Sequence, residues 1–213
     1  MNKLWAFGDS YTYGAGCIPY EYERNPKYLH NYKKEGDDIW PNHLGKMLNL
    51  EVKNFGKPGV SNDYIIDSII DQWDFIKEND YVIIGVTYHN RFDAPSKFSK
   101  ALSTIFWEVK DLDNFEDFDR EEMSALINFQ YYFASHELYK KRHLKRINFL
   151  LKALKEKNIK TFIWYVDYIL YTTKFEKIAN ATNGEIDDWH FSFKGHRNFA
   201  DMVYKKLINS ELI

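Results

Sequence analysis

Four short strand-like runs, at residues 3–7, 50–55, 81–86 and 159–166, limit what this chain can fold into. The run Tyr81-Val82-Ile83-Ile84-Gly85-Val86 shows no polar alternation, so both of its faces must be covered, as in an inner strand of a parallel sheet. Stretches with helical spacing lie between the runs. Ile39, Leu44, Met47 and Leu48 form one stripe over residues 38–49, with Pro41 tolerated in the first turn. Ile65, Ile66, Ile69, Ile70 and Trp73 form a second over residues 61–77, where Ser61 is placed to cap the helix. Leu144, Ile147, Leu150, Leu151 and Leu154 mark a helix over residues 137–156, and Phe199, Met202, Val203 and Leu207 another over residues 195–207. Strands alternating with helices predict an α/β three-layer α/β/α sandwich around a central parallel sheet, joined by right-handed crossovers. The length of 213 residues suits one such core, so residues 1–213 read as a single domain. From residue 91 to about 135 the periodicity weakens, and an insertion with short helices is expected there.

Charge and composition narrow the partners. The net charge of −2 argues against a nucleic-acid partner, which needs clustered cations. The basic run from Lys140 to Arg146 lies within a helical stretch and reads as its solvated face. His136 and His143 lack the four-residue spacing of a zinc-binding helix and read as surface residues. Cys17 stands alone, so neither an intramolecular disulfide nor a cysteine-based metal cluster can form. No apolar stretch is long enough to cross a bilayer, so no membrane partner is expected. With no apolar signal region at the start, a cytoplasmic location is expected.

The chemistry-bearing residues come in three groups. Gly8-Asp9-Ser10 closes the first run, Asn54-Phe55-Gly56-Lys57-Pro58-Gly59 spans the end of the second and the turn after it, and Asp187-Asp188-Trp189-His190 lies near the other end. Ser10 and Gly59 fall just past predicted strand ends, as does the segment after Gly85. In open α/β sheets the ligand crevice lies there, near a topological switch point. A serine hydroxyl needs a base to become nucleophilic, and a histidine with an orienting carboxylate can supply it.

In this order and spacing the motifs resemble those of the SGNH/GDSL hydrolase family, with Gly8-Asp9-Ser10 as the first block. Asn54-x-Gly56-x-x-Gly59-x-Ser61 is similar to the second, and Asp187-x-x-His190 to the last. The resemblance implies a flavodoxin-like sheet and a triad in which Ser10 is the nucleophile, His190 the base and Asp187 its orienting carboxylate. It also implies an oxyanion hole built from the backbone N–H groups of Ser10 and Gly59. The family's Gly-x-Asn-Asp block departs here to Gly85-Val86-Thr87-Tyr88, so Thr87 or the later Asn90 is expected to complete that hole. Asp9, His89, Arg91 and Trp189 are the expected substrate contacts. His196 reads as structural or as a supporting partner of the site, and Trp40, Tyr88 and Trp107 as core.

The activity implied is hydrolysis of a small acyl ester, of the sugar O-acetyl or short-chain kind, on a small-molecule or glycan substrate. It needs no metal or organic cofactor. Transfer of the acyl group to another alcohol, or a non-catalytic ligand-binding role for the same crevice, stays open at this point, as does the oligomeric state.

Overall fold

The computed structural model describes residues 2–14, 38–89, 91–95, 102–106, 136–166, 191 and 193–209, with isolated positions at 121, 124, 125 and 128. Four strands, β1 (Lys3–Gly8), β2 (Glu51–Gly56), β3 (Tyr81–Val86) and β6 (Lys160–Tyr165), pair in the order β2-β1-β3-β6, all parallel. Among the described residues the helices that accompany them are α1 (Ser10–Tyr13), α2 (Trp40–Leu48), α3 (Asn62–Asp71), α4 (His136–Glu156) and α5 (Phe193–Ile208).

The period-two geometry of a strand sends alternate side chains to opposite faces, and here both faces are apolar. Leu4, Ala6, Ile83 and Trp164 pack with Trp40 and Leu44 of α2 and with Phe199 and Val203 of α5. Trp5, Phe7, Val82 and Ile84 pack on the other side with Ile65, Ile66 and Ile69 of α3 and with Ile147, Leu150 and Leu154 of α4. These two cores make the three layers expected from the sequence.

Register brings the loops together. Gly8 lies opposite Gly56, and Phe7 opposite both Phe55 and Ile84, so β1, β2 and β3 end at one edge. The chain turns from β1 to β2 on one side and β3 on the other. The crevice past Gly8 is therefore the switch point of the sheet.

Within the stretch expected to hold short helices, the described residues include an antiparallel ribbon of β4 (Arg91–Pro95) and β5 (Leu102–Phe106). The sequence Leu102-Ser103-Thr104-Ile105-Phe106 is rich in β-branched and aromatic residues, which suit a strand better than a helix.

At the opposite edge Asp80 is almost fully buried and ties three segments together. Its carboxylate accepts from Lys3 N at 2.8 Å, Trp5 Nε1 at 2.8 Å and Lys77 N at 2.9 Å. Asp80→Ala leaves three donors without their acceptor, two of them charge-assisted backbone bonds. A loss of about 2–4 kcal/mol is expected from urea unfolding, since bonds to a charged group contribute about 1.5–3 kcal/mol each and the loss is shared. An unfolding midpoint equal to that of the parent protein would overturn the reading.

Candidate active site

The loop that carries Ser10 is built by its capping residue. Asp9 takes an extended conformation at the end of β1, and its Oδ1 accepts from Tyr11 N at 3.2 Å, starting α1. Ser10 is the first helical residue and is only 7% exposed. The neighbouring loop comes very close: a Cβ on Gly56 would stand 2.3 Å from Tyr13 N, so a side chain there is excluded. Asn54 Nδ2 donates to Thr12 O at 2.9 Å, and Asn54 Oδ1 accepts from Gly56 N at 2.9 Å. These contacts explain Asn54 and Gly56 as the clasp between the first two motifs. Gly59 has φ 76°, the left-handed region that favours glycine, and the space where a Cβ would stand is open.

Beside Ser10 lies a buried polar network. Thr87 Oγ1 donates to Asp9 Oδ2 at 2.6 Å, and Arg91 Nη1 donates to Thr87 Oγ1 at 2.8 Å. The same nitrogen reaches Asp9 Oδ2 and Val60 O, each at 3.3 Å. Asp9 and Arg91 thus form an ion pair nearly closed to solvent, with the guanidinium also 5.2 Å from the Tyr88 ring centre. One cation joins the loops after β1, β2 and β3.

The network bears on the expectation for Thr87. Arginine carries donors only, so the Thr87 hydroxyl accepts from Arg91 and its single hydrogen goes to Asp9. Its backbone N donates to Asn62 Oδ1 at 2.9 Å, while Asn62 Nδ2 returns a bond to Thr87 O at 2.9 Å. Both donors of Thr87, a residue expected at the oxyanion hole, are engaged in holding the loop. Asp9 and Arg91, expected as substrate contacts, pair with one another.

His89 is buried, and its Nδ1 lies 3.4 Å from Nδ1 of His143 on α4. His143, expected on the surface, is fully buried. It sits on the same helix face as Ile147, Leu150 and Leu154, and the basic residues around it concealed that spacing. Its Nε2 lies 3.6 Å from Asp63 Oδ1, and Asp63 also pairs with Arg142 and Arg146. Burial opposes ionisation of Asp63, yet His143, Arg146 and Arg142 together outweigh it and hold the carboxyl below its ordinary range.

A carboxyl lowered in the folded state stabilises the protein above its unfolded pKa of about 3.9, and that contribution is lost as pH falls through the folded value. Asp63→Asn should therefore flatten the acid limb of stability against pH, below about pH 5. Thermal unfolding across the acid range measures it, and an unchanged acid limb would overturn the assignment.

An aromatic floor underlies the crevice. Phe191 packs on Tyr11 at 5.1 Å between ring centres and on Phe199 at 5.2 Å. Trp40 Nε1 donates to Tyr11 O at 3.1 Å, and Trp40 N donates to Nδ1 of His196 at 3.1 Å. Trp40 is core and His196 is a buried structural acceptor, both as expected. Ser61 caps α3 as expected, its Oγ accepting from Tyr64 N at 3.1 Å, and it also donates to Asp93 Oδ2 at 2.6 Å.

Asp187, Trp189, His190 and Asn90, with Trp107 and Cys17, lie outside the described residues. Among the described residues no three His, Cys, Asp or Glu side chains are grouped to hold a metal, and no helix is long and apolar enough to cross a membrane.

Solved structures similar to this chain are G-D-S-L proteins and esterases. An acetyl xylan esterase, Est2A from the rumen bacterium Butyrivibrio proteoclasticus, aligns over 98% of this chain and 63% of its own, at 15% identity and TM-score 0.50. A G-D-S-L family protein from Desulfitobacterium hafniense aligns over 96% of this chain and 99% of its own, at 17% identity and TM-score 0.43. A member of the lipolytic G-D-S-L family from Veillonella parvula covers 99% and 98%, at 13% identity and TM-score 0.39. No protein-family model and no curated protein sequence matches the chain. The fold is the α/β fold of the SGNH hydrolases, with the parallel sheet and flanking helices described above.

Proposed function

We propose that the chain is a serine esterase acting on small acyl esters. The observation that carries the reading is the Tyr11–Phe191 ring contact. Tyr11 follows Ser10 and Phe191 follows His190, and consecutive Cα atoms are about 3.8 Å apart. Two residues adjacent in sequence to the expected nucleophile and base therefore touch, at the carboxyl edge of the sheet.

In this reading Ser10 Oγ attacks the ester carbonyl carbon while His190 takes its proton, with Asp187 orienting the imidazole. The oxyanion of the tetrahedral intermediate is held by the backbone N–H groups of Ser10 and Gly59, the second on open left-handed backbone. Collapse returns the proton to the departing alcohol and leaves an acyl group on Ser10. Water, activated by the same histidine, then releases the acid. No cofactor takes part. Thr87 and Arg91 act through Asp9, fixing the loop that carries the nucleophile. The fold shared with an acetyl xylan esterase is a reason to place acetylated glycans first among candidate substrates, ahead of short-chain acyl esters.

A fluorophosphonate probe should label the protein and leave Ser10→Ala unlabelled. Equal labelling of both would end the proposal. The engagement of both Thr87 donors favours a second reading, a non-catalytic ligand-binding crevice. Turnover of p-nitrophenyl acetate that is lost in His190→Ala would exclude it.

A further inference from the structure

The layer of α3 and α4 carries an apolar groove on its outer side. Ile66, Ile70 and Trp73 line one wall and Phe149 and Leu150 the other, around a space of about 360 Å³. Its lips are open to solvent: Ile70 is 54% exposed and Phe149 75%. Large apolar side chains gathered on one surface mark a place of association.

Charge around the groove is divided between the two helices. Beside Ile70, α3 and the turn after it carry Asp71 and Asp74, both exposed, while Asp67 already pairs with Arg146 of α4 at 3.0 Å. Phe149 is bracketed on α4 by Lys145 and Lys152, one turn before and after it, both exposed. Each helix leads into a strand of the same parallel sheet, α3 into β3 and α4 into β6, so the two helices run in the same direction.

The geometry points to a second copy of this chain as the occupant, docked by a two-fold axis running along the groove. Rotation about that axis sets α3 of one copy against α4 of the other, so acidic rows meet basic rows twice. The apolar lips close on each other along the axis, as a self-complementary interface requires. An axis across the helices would set α3 on α3, acid against acid. An anionic lipid surface would meet the aspartate row with repulsion, which disfavours that partner.

Sedimentation velocity over a wide concentration range tests this. The expected result is a reversible dimer of the 25.5 kDa chain, with Phe149→Asp monomeric and equally stable to heat. The pair Lys145→Glu/Lys152→Glu and the pair Asp71→Lys/Asp74→Lys should each weaken self-association at least tenfold. Mixed together, these two proteins should form a heterodimer, because both helix contacts are then attractive. A monomer at every concentration, a dimer indifferent to Phe149→Asp, or failure of the mixture to associate overturns the proposal. So does a wild-type monomer that instead binds phosphatidylserine vesicles through Phe149. None of these results bears on Ser10, so the dimer and the esterase reading stand or fall separately.

Discussion

Ser10→Ala and His190→Ala are each expected to lower kcat by about 10,000- to 1,000,000-fold, and the double variant by no more than the worse single one. Groups that act as one unit show this lack of additivity, because removing either the nucleophile or its base ends the same step. Asp187→Ala should cost somewhat less, on the order of 10,000-fold, since an unoriented imidazole still reaches the hydroxyl part of the time. The activity left comes from binding and from the backbone donors, here Ser10 N and Gly59 N, which none of these substitutions removes. Steady-state kinetics on an acetyl ester, with circular dichroism to establish folding, measures all four proteins. Losses that multiply in the double variant would mean that Ser10 and His190 do not share a step. A Ser10→Ala protein with a tenth of the parent activity would sink the mechanism outright.

The layers of the fold were legible because the inner strands β1 and β3 are apolar on both faces and each long helix on one. Residues 81–86 and the stripe from Ile65 to Ile69 need cover whatever their partners are. Strand order came from the family resemblance and not from periodicity, since pairing of β1 with both β2 and β3 joins residues about 50 and 80 positions apart by nonlocal hydrogen bonds. Ser10 and Gly59 stood out through glycine spacing. Arg91 was singled out for its place after a strand, but its partner Asp9 lies at |i−j| 82, and no local pattern announces such a pair. His143 was misassigned for a different reason. Its neighbours Lys140, Lys141, Arg142, Lys145 and Arg146 suggested solvent, although positions 143, 147, 150 and 154 share the helix face that the core covers. Periodicity was the better guide there than local charge, because a helix surrounds a buried residue with exposed ones in sequence. Asp80 gave no signal, since a lone aspartate before a strand resembles an ordinary turn residue until its three donors are seen together.

Asp9→Ala is expected to destabilise the protein by about 3–5 kcal/mol, the usual cost of leaving a buried charge without its partner. The substitution removes the acceptor for Thr87 Oγ1 and Arg91 Nη1, and it also removes the cap on Tyr11 N. Arg91→Met should cost less, about 2 kcal/mol, because Asp9 keeps the Thr87 hydroxyl and the Tyr11 N–H as donors. The double variant decides between a coupled network and two separate contacts. With neither charge present the site holds no unpaired ion, and apolar replacements of buried pairs are often near neutral. The double variant should therefore be more stable than the sum of the single losses indicates, by about 1–3 kcal/mol of coupling in a urea double-mutant cycle. Simple additivity would mean that Arg91 and Asp9 do not hold one another. Kinetics adds a distinction that folding cannot, since Asp9 precedes Ser10, the proposed nucleophile, and caps the helix that carries it. Arg91→Met should lower kcat with KM little changed, and Arg91→Lys should restore part of the loss by returning a cation to Asp9, though without the guanidinium's reach to Val60 O. A fall in affinity at constant kcat would instead make Arg91 a substrate contact, as its position after β3 first suggested.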